Sequence, residues 1–363
     1  MILTRREFSR LAGLAAASSF VPAAHAQTGQ RPIGWCVVGL GRISMDHFMP
    51  GVKMSKSGRI VALVSGHRDK AEKQAAMYGV SSKAIYKYEN MDAISDNREI
   101  DAVYIALPNS MHAEYTLLSL RAGKHVLCEK PMATSVADAK AMIDTSKTAN
   151  RKLMIAYRCQ FDPLHKKAIE MIRGGQLGQI QAIESAFGFN IAAGEWRLDR
   201  KLAGGGPLMD VGIYCLNATR YLTGEEPREI KAYSSVLDHD GRFDTVEENV
   251  SWTMKFPSGI VAACNTTYGG NMTGYFRVHG SKGSIVMLPA FNYDGMHLTG
   301  QIGRDQKIDE LSPDREPMEF TRQADHFAEC IWYDRTPKTP GEEGVRDTAL
   351  ISQIYQAAGL PGL

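Results

Sequence analysis

The chain has 363 residues, ordinary apolar and charged fractions and a formal net charge of +2. Such a length accommodates two domains with cores of their own, and the composition excludes disorder and low-complexity architecture. The charge forms no basic stripe, which argues against nucleic acid as a partner.

The first stretch, "LTRREFSRLAGLAAASSFVPAAHAQ", carries paired arginines Arg5 and Arg6, a modest apolar run from Leu11 to Val21 and a small-x-small end at Ala24-His25-Ala26. This pattern predicts a twin-arginine signal over 1–26, cut before Gln27, and export of the folded protein to the periplasm by the twin-arginine machinery. An amphipathic first helix would not need both the arginine pair and the A-x-A end. The apolar run is shorter than the ~20 residues that span a bilayer, so no membrane anchor is expected. Cys36, Cys128, Cys159, Cys215, Cys264 and Cys330 lie in apolar contexts without a C-x-x-C or a cysteine-histidine spacing, which predicts buried thiols and no metal site.

From residue 33 strands and helices alternate. Apolar runs at 33–41, 59–66, 84–88, 101–109 and 125–131 read as strands, and the gaps hold helical stretches such as "DKAEKQAAMYG" and "HAEYTLLSLRAG", each closed by glycine. This series predicts a parallel, doubly wound α/β sheet of the Rossmann type over 33–155. The first strand ends in Gly39-Leu40-Gly41-Arg42-Ile43-Ser44, a glycine-rich turn opening a helix, with serine at the third small position. Placed there, the turn predicts a dinucleotide with its pyrophosphate at the helix N-terminus.

The end of the second strand selects the dinucleotide. An NAD site places a carboxylate there, whereas this chain has Ser65-Gly66-His67-Arg68-Asp69-Lys70. Ser65, Arg68 and Lys70 suit a ribose phosphate, and Asp69 is expected to cap the following helix, so NADP(H) is favoured.

Beyond residue 150 the pattern changes. "KLMIAYRCQF" (152–161) reads as a sixth strand and 163–173 as a helix; long strands without intervening helices follow at 179–190, 228–238, 249–259, 260–270 and 275–280. They predict a separate α+β domain over 156–363 with a large, mostly antiparallel sheet. A helix at 206–224 interrupts them, and the helix at about 320–334 and the tail after Glu342 are expected to pack back. On the interrupting helix Asp210 and Tyr214 are four residues apart and share a face, with Gly212 leaving room for close approach.

Lys130 follows the fifth strand in "HVLCEKP", at a carboxyl end where an open α/β sheet binds its ligand. A strand-edge lysine reaching to water is the competing reading. Beside a dinucleotide, Lys130, Asp210 and Tyr214 suit alcohol oxidation: the hydroxyl proton must leave with the hydride, and a tyrosine whose pKa is lowered by the neighbouring Lys130 could take it.

The glycine-rich turn, "CEKPMA", "YRCQFDP" and "EWRLDRKLAGGGPLMDVGIYCLNATRYLTGEEP" resemble the glucose-fructose oxidoreductase/inositol dehydrogenase family, closest to its glucose-fructose and aldose-aldose oxidoreductase branch, from about residue 33 to the C-terminus. The resemblance implies that Lys130, Asp210 and Tyr214 are catalytic and, with Tyr157, bind a sugar; Tyr214 stands where most of the family has histidine. It also implies that Gly39, Gly41, Arg42, Ile43, Ser65, Arg68, Lys70, Leu107, Asn109, His112, Glu129, Lys130, Arg158, Trp196 and Arg197 line a tightly bound NADP(H). The implied activity is oxidation of an aldose at C1 to a lactone, coupled to reduction of a second sugar by a ping-pong mechanism, in a homo-oligomer assembled through the second sheet. The long proline-rich arm of the glucose-fructose enzyme is missing, since only Gln27 to Pro32 separate the predicted cut from the first strand. Two other readings stay open at this point: an ordinary NAD(P)-dependent sugar or polyol dehydrogenase with exchangeable cofactor, and a non-catalytic dinucleotide-binding regulator.

Overall fold

The computed structural model describes residues 30–363; the predicted signal, with Arg5, Arg6 and Ala24-His25-Ala26, lies outside them. β1 (Ile33–Val38), β2 (Gly58–Val64), β3 (Ile85–Tyr86), β4 (Ala102–Ile105), β5 (His125–Cys128) and β6 (Leu153–Ile155) form a parallel sheet in the order β3-β2-β1-β4-β5-β6. Helices cover both faces, and so β1 and β4 are buried at every position and read as unbroken apolar runs. The helices are α1 (Met49–Met54), α2 (Arg68–Tyr78), α3 (His112–Arg121) and α4 (Val136–Thr148), with a π-type turn over Ile43–Phe48 leading into α1. Phe48 stacks on Tyr104 at 3.6 Å between ring centroids and meets Trp35 edge-on at 5.2 Å, fixing this entry segment against β1 and β4. The order reverses direction between β1 and β4, which opens a crevice beyond their carboxyl ends.

Two local expectations need correction. The N-cap of α2 is His67 in extended conformation, its N–H held by Ser65 Oγ at 3.1 Å; Asp69 sits inside the first turn, where its charge favours the helix dipole. The sixth strand ends at Ile155, because Tyr157 N–H donates back to Ile155 O at 2.8 Å and Arg158–Phe161 coil into a 3₁₀ turn. That turn carries Arg158 off the sheet and into the interior. α5 (Pro163–Arg173) has the predicted bounds, with Asp162 accepting from the N–H groups of Leu164 and His165 and proline at its first position.

The second sheet comprises β7 (Ile180–Gly188), β8 (Glu229–Ser235), β9 (Asn249–Lys255), β10 (Val261–Thr267), β11 (Met272–Gly280), β12 (Gly283–Met287), β13 (His297–Ile302) and β14 (Gln306–Leu311). Their order is β14-β13-β12-β11-β7-β10-β9-β8, antiparallel except for the parallel pair β7 and β10. β12 to β14 add to the strands expected from sequence. Along β9 the side chains alternate, Val250, Trp252 and Met254 inward and Ser251, Thr253 and Lys255 outward. Between β7 and β8 lie α6 (Arg200–Ala203), a π-type turn over Leu208–Gly212 and α7 (Ile213–Thr223); α8 (Met318–Trp332) and α9 (Gly341–Ala357) close the chain, and α9 packs on α4 and β8. Both sheets belong to one compact unit, Pro32–Leu363. α7 packs on β7 and starts facing the carboxyl end of β5, where Lys130 meets Asp210.

Candidate active site

The π-type turn before α7 sets up the site. Glu247 accepts from Gly206 N–H at 2.9 Å and Leu208 N–H at 3.2 Å, fixing the entry of the turn, and a Cβ at Gly212 would lie 3.0 Å from Thr266 Cγ2, so the segment sits tight on β10. A π-type turn loosens the regular carbonyl ladder of a helix. The Asp210 carbonyl is turned to the Lys130 ammonium at 2.7 Å, and the same ammonium lies 3.1 Å from Asp210 Oδ1. Asp210 Oδ2 accepts from Arg197 Nε at 3.0 Å and from the Tyr268 hydroxyl at 2.7 Å. Burial alone would raise the Asp210 carboxyl, but Lys130, Arg197 and the hydroxyl of Tyr268 together hold it well below the usual carboxylate range. With its oxygens committed to three partners, Asp210 is suited to orient Lys130 and Arg197 and ill suited to accept a substrate proton.

Lys130 Nζ also lies over the Tyr214 ring, 4.8 Å from its centroid, so it faces the ring and not the hydroxyl. The hydroxyl instead accepts from Arg158 Nε at 3.3 Å. The expectation that Lys130 lowers the Tyr214 pKa is corrected on both counts: burial of the ring against Phe187 and Phe291 pushes it up, and the cation that opposes this is Arg158. Tyr214 is therefore a protonated phenol at neutral pH, ready to give a proton. Because Arg158 donates to its oxygen, its own O–H is left to point elsewhere.

The glycine-rich turn keeps room for a pyrophosphate. Gly39 has φ +89°, and a Cβ there would strike the Ala106 carbonyl, whereas a Cβ at Gly41 would meet nothing within 4 Å. Open space at Gly41, beside the start of a helix, fits a dinucleotide phosphate. Ser44, at the third small position, donates to Gly39 O at 2.6 Å and ties the turn to the helix. Lys70 crosses from α2 to donate to Leu40 O at 3.2 Å, which brings its ammonium to this turn. Arg68 is committed elsewhere, to Glu72 at 2.8 Å and to the carbonyls of Ile85 and Ser82.

The domain described as an oxidoreductase family with an NAD-binding Rossmann fold matches residues 33–157, and the C-terminal domain described for GFO/IDH/MocA proteins matches 165–286. The chain belongs to the GFO/IDH/MocA oxidoreductase family. The family resemblance read from the sequence is thereby borne out, as is the combination of a parallel Rossmann sheet with a mostly antiparallel second one. Within the family, the chain is similar to the crystal structure of aldose-aldose oxidoreductase from Caulobacter crescentus, with 42% identity, a TM-score of 0.87 and coverage of 91% of this chain and 98% of that one. It is also 30% identical over 328 residues to D-xylose 1-dehydrogenase (NADP(+)) 2 from Haloferax volcanii, covering 89% and 96% of the two chains. D-xylose 1-dehydrogenase [NADP(+)] from Haloarcula marismortui is 29% identical over 334 residues, covering 90% and 91%.

The remaining predicted residues of this GFO/IDH/MocA protein fall into two groups. Arg42, 82% exposed, reaches Glu195 at 3.6 Å, and Trp196 lies under the Arg197 guanidinium at 4.7 Å, so the segment before α6 approaches the glycine-rich turn. Ile43 and Leu107 are half-buried on either side of that turn. The others are tied into the protein itself. Glu129 turns back to accept from the Tyr104 hydroxyl at 2.6 Å, and Asn109 donates to Ala203 O at 2.8 Å. His112 places its ring nitrogens 2.7 Å and 3.0 Å from the carbonyls of Pro131 and Leu107; burial lowers its pKa to about 4, and the neutral ring has one N–H to donate to one of the two. Tyr157 is buried and, with Lys130, Tyr214 and Phe291, lines a small cavity. The sequence reading missed Tyr268 on Asp210 and Glu319 on Arg158; each pair is joined only by the tertiary fold. All six cysteines are free and buried.

Proposed function

We propose that this protein is an NADP(H)-dependent sugar oxidoreductase that oxidises an aldose at C1 to an aldonolactone and reduces a second sugar in the same site. The observation that carries this reading is a half-buried tyrosine whose hydroxyl meets Arg158, beside a lysine locked by Asp210, at the mouth of a dinucleotide crevice. The similarity to aldose-aldose oxidoreductase over most of both chains supports the paired reaction. The names of the two xylose dehydrogenases support aldose oxidation with NADP(+). Bound NADP(H) would supply the hydride acceptor and donor. The chain's own residues handle the proton: Tyr214 takes it from the sugar hydroxyl during oxidation and returns it to the carbonyl oxygen during reduction. Lys130 holds that oxygen and offsets its negative charge.

The decisive experiment uses protein purified without added nucleotide. Bound NADP(H) should be reduced by one aldose and re-oxidised by a second sugar, with parallel-line kinetics for the pair. Cofactor lost on purification, and turnover sustained only by added NADP(H), would assign the ordinary dehydrogenase instead.

Two further expectations belong to this reading. The first concerns the ribose phosphate, for which Lys70 and Ser65 supply a cation and a hydroxyl without a facing carboxylate. Lys70→Ala should weaken NADP(H) binding by about 10- to 100-fold, as expected for one charge-assisted hydrogen bond, with NAD(H) affinity unchanged. Titration of cofactor fluorescence checks this, and equal losses for both cofactors would refute it. The second concerns export through the twin-arginine machinery to the periplasm. Replacing Arg5 and Arg6 by lysine should leave folded precursor in the cytoplasm, read by cell fractionation. The outward face of β8 to β10, with Tyr233, Thr253 and Ala263 exposed, is the surface through which we propose a second copy packs.

A further inference from the structure

Arg158 is held with unusual completeness for a side chain that touches the reacting group. Its guanidinium is buried, with 5% side-chain exposure, and so is its partner Glu319 on the first turn of α8, with 3%. Nη1 donates to Glu319 Oε2 at 2.6 Å and to Asn292 O at 2.8 Å, Nη2 to Phe291 O at 2.5 Å, and Nε to the Tyr214 hydroxyl at 3.3 Å. The Tyr293 ring stacks against the guanidinium, 4.2 Å from its carbon, and the Tyr214 ring lies 5.2 Å away. A planar fork gripped on three sides can present its Nε in one direction only.

We propose that Glu319 is a positioning residue for the acid-base tyrosine: it fixes the Arg158 guanidinium where Nε donates to the Tyr214 oxygen. The inference rests on the reading of Tyr214 as the group that moves the proton. Glu319 does not touch the crevice residues Lys130 or Asp210; it acts through Arg158. A buried arginine without its carboxylate would be an uncompensated charge, free to seek water. Held in place, it stabilises the phenolate that takes the sugar proton during oxidation, and it leaves the tyrosine O–H directed away from Arg158 when the proton is returned during reduction.

The charged and titratable groups facing Tyr214 are Glu129 and Lys130 from the end of β5, Arg158 and Cys159 from the turn after β6, and Tyr293 from the loop after β12; Glu319 acts behind Arg158. Burial raises the Glu319 carboxyl to about 7 against the pull of Arg158, so its charge is also costly to keep. A carboxylate retained at such a place for packing alone would have no bearing on the tyrosine.

The test replaces Tyr214 by difluorotyrosine, whose lower intrinsic pKa brings the titration into a range where the protein stays folded, and follows phenolate absorbance in cofactor-free protein. In a Glu319→Gln background the guanidinium loses the carboxylate that anchors it, Nε leaves the Tyr214 oxygen, and the midpoint should rise by roughly one unit. In the Arg158→Met/Glu319→Leu double variant, an apolar pair that the interior tolerates, the midpoint should rise by a similar amount. The pH dependence of aldose oxidation should shift in the same direction in each background, with KM for the sugar little changed. A Glu319→Gln midpoint equal to or below that of the parent, with only Tm altered, would overturn the proposal; should Glu319→Gln not fold, Glu319→Asp, which keeps the charge and shortens its reach, should raise the midpoint in the same direction, and an unchanged midpoint there would overturn it likewise. Full aldose oxidation by Tyr214→Phe would instead overturn the functional reading, whatever the titration shows.

Discussion

Tyr214→Phe should lower the rate of sugar oxidation by ~10²–10⁴-fold, the range lost when a positioned acid-base group is removed, and should leave NADP(H) affinity unchanged. The substitution deletes one hydroxyl, and the ring keeps its contacts with Phe187 and Phe291. The cost is then confined to proton transfer and to Arg158 Nε, which loses its acceptor. The pH dependence identifies the group. Burial raises the Tyr214 pKa above the ordinary phenol value, so the phenolate needed for oxidation is a minor species at neutral pH. Oxidation should therefore accelerate about tenfold per unit of rising pH across the neutral and mildly alkaline range, while reduction, which uses the phenol, stays flat. Tyr214→Phe should abolish the slope. Stopped-flow single turnovers, started from pre-bound cofactor, separate this step from product release; an unchanged slope in the variant would place the proton on another group.

The parallel sheet was legible because burial on both faces turns each strand into an apolar run, and because glycine after β1 and after α2 marks places where the backbone must turn. Lys130 at the end of β5 and the Asp210-Tyr214 pair were legible for a related reason: strand ends and helical spacing are local properties. The second sheet was read only in part. β12 is short, "GSIVM", and opens on glycine, while β13, "HLTGQI", and β14, "QKIDEL", are rich in polar residues, with a glycine inside β13, and their pairing depends on neighbours, not on a pattern of their own. The π-type turn at Leu208–Gly212 left no mark either, since the sequence there has ordinary helical periodicity. Arg158 and Glu319 lie 161 residues apart, so nothing near either residue announces the ion pair. This also explains the error over the Tyr214 pKa. The sequence showed a nearby lysine, but the depth of burial and the cation at the hydroxyl are set by contacts between distant segments.

Lys130→Ala should cost sugar turnover at least as much as Tyr214→Phe, and Asp210 should share most of that cost. The ammonium is held by Asp210 at both the backbone carbonyl and Oδ1, over the Tyr214 ring, so its position is decided before a sugar arrives. If Lys130 holds the reacting oxygen only as hydride moves, its loss lowers kcat by orders of magnitude with a small change in KM. Asp210→Asn separates charge from placement. The Asp210 carbonyl still receives Lys130, but the carboxylate no longer binds Arg197 and Tyr268 as an anion, and a loss of about 2 kcal/mol in stability is expected from the weakened charged hydrogen bonds. The sign of the pH dependence follows from the depressed folded-state pKa: the stabilisation is fully present above the unfolded value near 4 and disappears as pH falls toward the folded one. The stability gap between native protein and Asp210→Asn should accordingly be constant from neutral pH to about 4 and close below it. Denaturant titrations across that range, paired with single-turnover rates, distinguish two cases. A gap that closes together with an intact rate would make Asp210 a structural anion only. A rate lost by ~10²-fold at neutral pH, with Lys130→Ala/Asp210→Asn no worse than Lys130→Ala alone, means that the carboxylate acts through the lysine, because residues working as one unit lose their effect once.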